Sequence, residues 1–165
     1  MMRRSLLAGL AACAGFAAAP AFAEGSVKRK QGGANLEDAE EIRRLYSRYA
    51  WATDKGDNLT WAACFTPDGS FVAPGMAKIT GREALIKMAD ANTASLKGSQ
   101  TRHVFTNIRF DLDGDRGEGG CYFQYYVTHD RVSELKGVGF YLDQYRRLGG
   151  KWLFQSRAVA LDNMP

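Results

Sequence analysis

"TRHVFTNIRF", residues 101–110, is the point at which the hydrophobic period of the chain changes. Val104, Phe105, Ile108 and Phe110, with Thr101 and Thr106 among them, read as a β-strand, since β-branched and aromatic side chains suit a pleated, half-buried surface. Before this stretch the apolar residues recur at three- and four-residue spacing; after it they alternate. The strand also carries Arg102, His103 and Asn107, which a purely structural strand does not need. The same ten residues therefore decide the fold class and raise the question of a site.

Upstream, Ile42, Leu45, Tyr46, Tyr49 and Ala50 form one apolar face and predict a helix over about 36–53, with Asn35 placed to cap it. Asp57 is placed to start a second, short helix through Thr60, Trp61 and Phe65, stopped by Pro67-Asp68-Gly69. "SFVA" (70–73) reads as a short strand. Thr80 and Glu83 have capping-box spacing and open a third helix from Gly81 to about Ser95. Downstream, four strands are expected at about 101–111, 119–130, 137–147 and 151–161, with "DGDRG", "SELKG" and "LGG" as turns. Helices first and a meander second define an α+β fold: a cone-shaped, curved antiparallel sheet with three N-terminal helices enclosing a pocket. Tyr122, Phe123, Tyr125, Tyr126, Phe140, Tyr141, Tyr145, Trp152 and Phe154 crowd the meander. Most serve core and subunit contacts, and the remainder suit a flat, apolar or aromatic ligand.

A chain of 165 residues, 45% hydrophobic and 24% charged, suits one domain. Residues 1–23, "MMRRSLLAGLAACAGFAAAPAFA", lie outside it: a basic start, an apolar stretch and the small-residue end Ala21-Phe22-Ala23 spell a cleavable signal peptide. Arg3-Arg4 also fits a loose twin-arginine pattern, and "LAAC" resembles a lipoprotein box at Cys13, although the later cleavage site is the better one. The stretch is too short to rank as a membrane span. The expected organisation is signal peptide 1–23, flexible leader 24–35 and folded domain 36–165, in the periplasm or secreted. Cleavage removes Arg3 and Arg4 and no acid, so the net charge of +4 falls to +2, which is no nucleic-acid footprint. An oxidising compartment would allow Cys64 and Cys121 to pair, while their apolar surroundings favour two buried free thiols. No CxxC, metal-spaced cluster, phosphate loop, GxSxG or HExxH occurs, so no cofactor or metal is expected.

His103 has a counterpart about fifty residues earlier. Asp54 stands at the end of the first helix in "RYAWATDKGD" (48–57), where the helix dipole disfavours a carboxylate. One explanation is turn formation with Lys55-Gly56. The other is that Asp54 accepts from one imidazole nitrogen, fixes the tautomer and leaves the second nitrogen as a base. His129-Asp130 reads as a solvated pair at a strand end, "DLDGD" (111–115) as a hairpin turn, and "NLT" (58–60) as a helix start.

"IRRLYSRYAWATDKGD", "FTPDGSF", "GREAL", "RHVFTNIRF" and "DQYRRLGGKWLF" follow the order and spacing of SnoaL-like proteins in the nuclear transport factor 2-like superfamily. The resemblance covers residues 36–161. Within it, Asp54 and the His103 of "HxxTN" resemble the dyad of scytalone dehydratase and hexachlorocyclohexane dehydrochlorinase, in which the histidine abstracts a carbon-bound proton, the aspartate orients it, and no cofactor takes part. The same resemblance implies that Tyr49, Phe71, Tyr141 and Arg157 line the substrate pocket. Two phenols and an arginine make it more polar than a pocket for a halogenated alkane. The function implied is a cofactor-independent lyase, of dehydration or deformylation type, acting on a small aromatic, hydroxylated substrate. An isomerase or cyclase on the same dyad, or an exported binder of hydrophobic ligands, is the alternative. Relatives are commonly homodimers or homotrimers.

Overall fold

The computed structural model describes residues 36–162; the expected signal peptide, the leader and the Asn35 cap lie outside the described residues. Helix α1 (Leu36–Lys55) buries Ile42, Leu45, Tyr46, Tyr49 and Ala52, the side of the helix that three- and four-residue spacing brings together. It runs two residues further than its apolar pattern predicts. Gly56, at φ 68°, and the Asp57 N–H, which donates to the Ala52 carbonyl at 2.9 Å, then close it.

Helix α2 (Asn58–Ala63) is capped by the Asp57 carboxylate, which accepts from the Thr60 N–H at 3.0 Å. It stops earlier than expected. Phe65 belongs to strand β1 (Phe65–Val72), because the Phe154 N–H takes the Cys64 carbonyl at 2.9 Å and draws the chain into the sheet. Thr80 lies in strand β2 (Ile79–Thr80), paired with Ser70. The expected capping box is therefore not formed: Gly81 takes the N-cap position of α3 (Arg82–Ser95) with no side-chain capping bond.

Strands β3 (Gln100–Asp113), β4 (Arg116–His129), β5 (Val132–Leu148) and β6 (Lys151–Leu161) form the antiparallel meander. With β1 parallel to β6, the curved, unclosed sheet has the order β2-β1-β6-β5-β4-β3. "SELKG", expected as a turn, lies inside β5. The reversal falls instead on Asp130-Arg131, both at positive φ (47° and 67°), as a two-residue hairpin loop requires.

Asn107 explains its own presence in β3. Its φ is 53°, and the β3–β4 register shifts between Thr106 and Arg109. The residue is a bulge, and it changes which parity faces the helices. His103 and Phe105 face inward before it, and Ile108, Phe110 and Leu112 after it. The core between α1 and the sheet includes Tyr46, Tyr49, Tyr141, Tyr145, Trp152 and Phe154. On the outer face Tyr122 is 59% exposed and Val104 42%.

Candidate active site

Asp54 sits in the last turn of α1, where the Gly56 and Asp57 N–H groups bond back to the Thr53 and Ala52 carbonyls. Its carboxylate, which can only accept, turns to the donors of β3. Oδ1 accepts from the Thr101 hydroxyl at 3.1 Å and lies 2.7 Å from His103 Nδ1; Oδ2 accepts from the His103 backbone N–H at 3.0 Å. An ionised carboxylate only accepts, so Nδ1 carries the proton and Nε2 is the basic nitrogen. The side chains are 9% and 12% exposed, shielded but not sealed. Tyr125, directly opposite His103 in the register, tilts across the imidazole with 4.9 Å between ring centroids. Burial and the charge of Asp54 raise its phenol above the ordinary range.

From this rim the inner face deepens row by row. Gly137 follows Tyr125 and adds no side chain. Phe105, Phe123, Gly139 and Leu161 form the next row, then Cys121, Tyr141 and Val159. Phe105 links the two levels, with centroids 6.2 Å from His103, 6.1 Å from Tyr49 and 5.6 Å from Tyr141. The expected pocket residues thus occupy two depths: Tyr49, Tyr141 and Arg157 are buried, while Phe71 is half-buried against Trp61 at 6.0 Å.

Arg157 is held by a residue that sequence reasoning missed. Its Nε and Nη2 donate to the two oxygens of Asp143 at 2.7 and 2.8 Å, and both side chains are wholly buried. Tyr46 donates to the same carboxylate at 2.5 Å and meets the Tyr145 hydroxyl at 2.6 Å. The guanidinium carbon lies 3.9 Å from the Phe154 ring centroid, 4.1 Å from Tyr141 and 4.3 Å from Tyr49. Burial opposes the charge on Arg157, but Asp143 outweighs it and holds the guanidinium protonated. Burial, and after it Asp143, pushes Tyr46 and Tyr145 up. Arg157 Nη1 is buried with no hydrogen-bond partner among the described residues.

The other sequence features make no contact with the dyad. Cys64 and Cys121 are buried free thiols, and burial pushes Cys121 up to about 12. His129 and Asp130 form an exposed pair at 3.3 Å. A cavity of about 690 Å³ lies mainly against the outer face, lined by Arg109, Asp111, Glu118, Leu142, Gln144 and Ser156 among others. It touches neither Asp54 nor His103. Among the described residues no cluster of metal-ligating side chains occurs, and no helix is long and apolar enough to cross a membrane.

A curved, unclosed sheet wrapped over helices, with an aspartate-oriented histidine at the rim of its inner face, defines a nuclear transport factor 2-like α+β protein. The model of the SnoaL-like domain matches residues 34–158, and the chain belongs to that family, which includes polyketide cyclases and dehydratases. A Mycobacterium tuberculosis protein of unknown function is similar over 78% of this chain and 73% of its own, with 29% identity and a TM-score of 0.72. An NTF2-like protein with a cystatin-like fold from Novosphingobium aromaticivorans gives 26% identity, coverage of 79% and 85%, and a TM-score of 0.73. A second protein of that organism, provisionally named a scytalone dehydratase, shares the fold at 23% identity, with coverage of 78% and 86% and a TM-score of 0.67. Among curated proteins none matches the chain in sequence.

Proposed function

We propose that the protein is a cofactor-independent lyase that removes a carbon-bound proton from a small aromatic, hydroxylated substrate and expels a neighbouring group. The observation carrying this reading is His103 itself: Nδ1 is committed to Asp54 at 2.7 Å, and Nε2 is left over. Nε2 takes the proton. Asp54 stabilises the imidazolium, and the proton returns to the leaving group. Acid–base catalysis of this kind contributes roughly 10²–10⁴-fold. Tyr49 and Tyr141 lie at the depth of this face, and Arg157, bound to Asp143 and enclosed by their rings, holds them in place. An exported binder of hydrophobic ligands has no use for an oriented base, and that favours the enzyme.

The test is incubation with a panel of hydroxylated aromatic compounds, scytalone among them, with products read by mass spectrometry. Loss of water supports dehydration, loss of formaldehyde supports deformylation, and an unchanged mass with altered retention supports isomerisation or cyclisation. Tight binding with no product overturns the enzyme reading in favour of the binder. We further propose export through residues 1–23, checked by N-terminal sequencing for a start at Glu24. The exposed outer-face residues Tyr122 and Val104 support a homodimer or homotrimer. A monomer mass in light scattering at micromolar concentration would refute it.

A further inference from the structure

Gly137 stands in the dyad's own row of the inner face, after His103 and Tyr125. A glycine inside a strand has few physical causes: a bulge, another backbone close by, or a ligand that needs the space. Gly119, Gly120 and Gly139 are held by crowding, since a Cβ on them would run into the carbonyl oxygens of Arg109, Tyr141 and Ala160. At Gly137 a Cβ would meet only Leu161 Cδ2, at an ordinary contact distance of 3.6 Å. The β4–β5 register shifts beside it, with Lys136 as the extra residue between Leu135 and Gly137. Yet Gly137 is not among the glycines at positive φ, so the bulge does not demand a glycine either. Neither crowding nor backbone geometry accounts for it.

The missing side chain leaves room on the side where the base is approached. Around the His103 ring, Asp54 takes Nδ1, Phe105 stands on the deep side at 6.2 Å, and Tyr125 lies across it at 4.9 Å. Beyond Tyr125 the row ends on Gly137. Strand β6 closes one row deeper: Leu161, opposite Gly139, is its last residue in register, and the Asp162 N–H donates to the Val138 carbonyl at 3.0 Å. Among the described residues Gly137 therefore has no partner on β6. The row of the dyad is open at its β5 end, where no side chain rises and no strand flanks it.

We propose that Gly137 is the specificity-determining position of the site. Its bare backbone is the floor over which a flat molecule reaches His103 Nε2, and the size of residue 137 sets the width of the molecule admitted. A side chain there shares the inward parity of Gly139 and Tyr141, so it would stand in that approach. This role rests on the dyad reading and deepens it, and it holds whichever reaction follows proton abstraction.

Two reagents that attack a neutral imidazole nitrogen test it without a substrate in hand. Diethyl pyrocarbonate is small and flexible; para-bromophenacyl bromide carries a flat, rigid aromatic ketone. The ratio of their rates at one histidine cancels any change in its protonation. Peptide mass spectrometry reads His103 apart from His129, whose exposed ring is the internal control. Gly137→Leu should lower the ratio of phenacylation to carbethoxylation at His103 by roughly tenfold or more, as an added group in a pocket does to the discrimination of reactants. The ratio at His129 should not move. Gly137→Ala adds one methyl group and should show a smaller fall, which keeps the test readable if urea denaturation finds the leucine variant unfolded. An unchanged ratio at His103 in every variant that folds overturns the role of Gly137 and leaves the dyad standing. Wild-type His103 inert to both reagents, while His129 reacts, shows Nε2 to be closed and overturns the dyad reading as well.

Discussion

Two carboxylates each grip a nitrogen base over the inner face of the sheet, Asp54 of α1 at the rim and Asp143 of β5 at depth. Asp143 accepts from Arg157 at 2.7 and 2.8 Å and from Tyr46 at 2.5 Å, and both members of the ion pair are fully buried. Asp54 also accepts three hydrogen bonds, from Thr101 and from the backbone and ring of His103, yet its pair stays 9% and 12% exposed. At depth the base is bonded through two nitrogens and enclosed by five aromatic rings. At the rim one imidazole nitrogen remains unspent where substrate can arrive. The same bonding pattern serves the fold where it is sealed and is free for chemistry where it is not. Removing a member of the rim pair should therefore cost turnover, and removing a member of the deep pair should cost stability.

The largest expected effect falls at the rim. With a substrate from the panel, His103→Ala should lower kcat by roughly 10²–10⁴-fold. Its urea-denaturation stability should change by no more than about 1 kcal/mol. Asp54→Asn should lose a comparable factor in kcat with little change in KM, and the double variant should be hardly worse than His103→Ala, because the two act as one unit. Near-normal turnover in both single variants would make His103 a merely structural histidine.

At depth the ordering reverses. Asp143→Ala leaves the Arg157 charge buried and unpaired, and should cost about 3–5 kcal/mol in urea denaturation. Removing both charges together, as Asp143→Leu with Arg157→Met, should recover much of that loss, since a packed apolar pair avoids the desolvation penalty. If Asp143→Ala kept its stability and lost turnover, the division between the two pairs would fail. Tyr46→Phe is the finer probe: it deletes the hydrogen bond to the Asp143 carboxylate and the one shared with the Tyr145 hydroxyl but keeps the ring 4.8 Å from the guanidinium. The expected loss is about 1.5–3 kcal/mol in the same assay.

The rim pair was legible in the sequence, because Asp54 ends a strongly periodic helix and His103 opens a clear strand. The deep pair was half legible. Tyr141, Asp143 and Tyr145 share the inward parity of β5, and that was the available signal for a buried acid. Its partner was hidden by register. Counted from the Leu148–Lys151 pair with no irregularity, Asp143 would face Ser156. A bulge in β6 brings Arg157 opposite it instead, and nothing in "LFQSRA" announces that extra residue. The β4–β5 turn was misplaced for a related reason. "SELKG" has turn composition, whereas Asp130-Arg131, without a glycine, takes the positive φ values that composition does not reveal. Helix existence and strand number follow from apolar periodicity, while bulges and two-residue turns depend on long-range pairing.

Asn107 supplies the smallest and sharpest test, because it joins the two regions. Without the bulge a single parity would run through β3, and an inward His103 would put Arg109 and Asp111 inside in place of Ile108 and Phe110. The bulge residue has φ 53°, a left-handed conformation that asparagine adopts more readily than most residues and alanine does not. Asn107→Ala should therefore lose about 1 kcal/mol in urea denaturation, and Asn107→Gly should stay within about 0.5 kcal/mol of wild type, since glycine takes this conformation without a Cβ penalty. Neither should change kcat by more than about twofold, a small fraction of the 10²–10⁴-fold expected at His103. If Asn107→Gly held its stability but lost turnover, the amide itself would belong to the active site, and the bulge would be a means of presenting it.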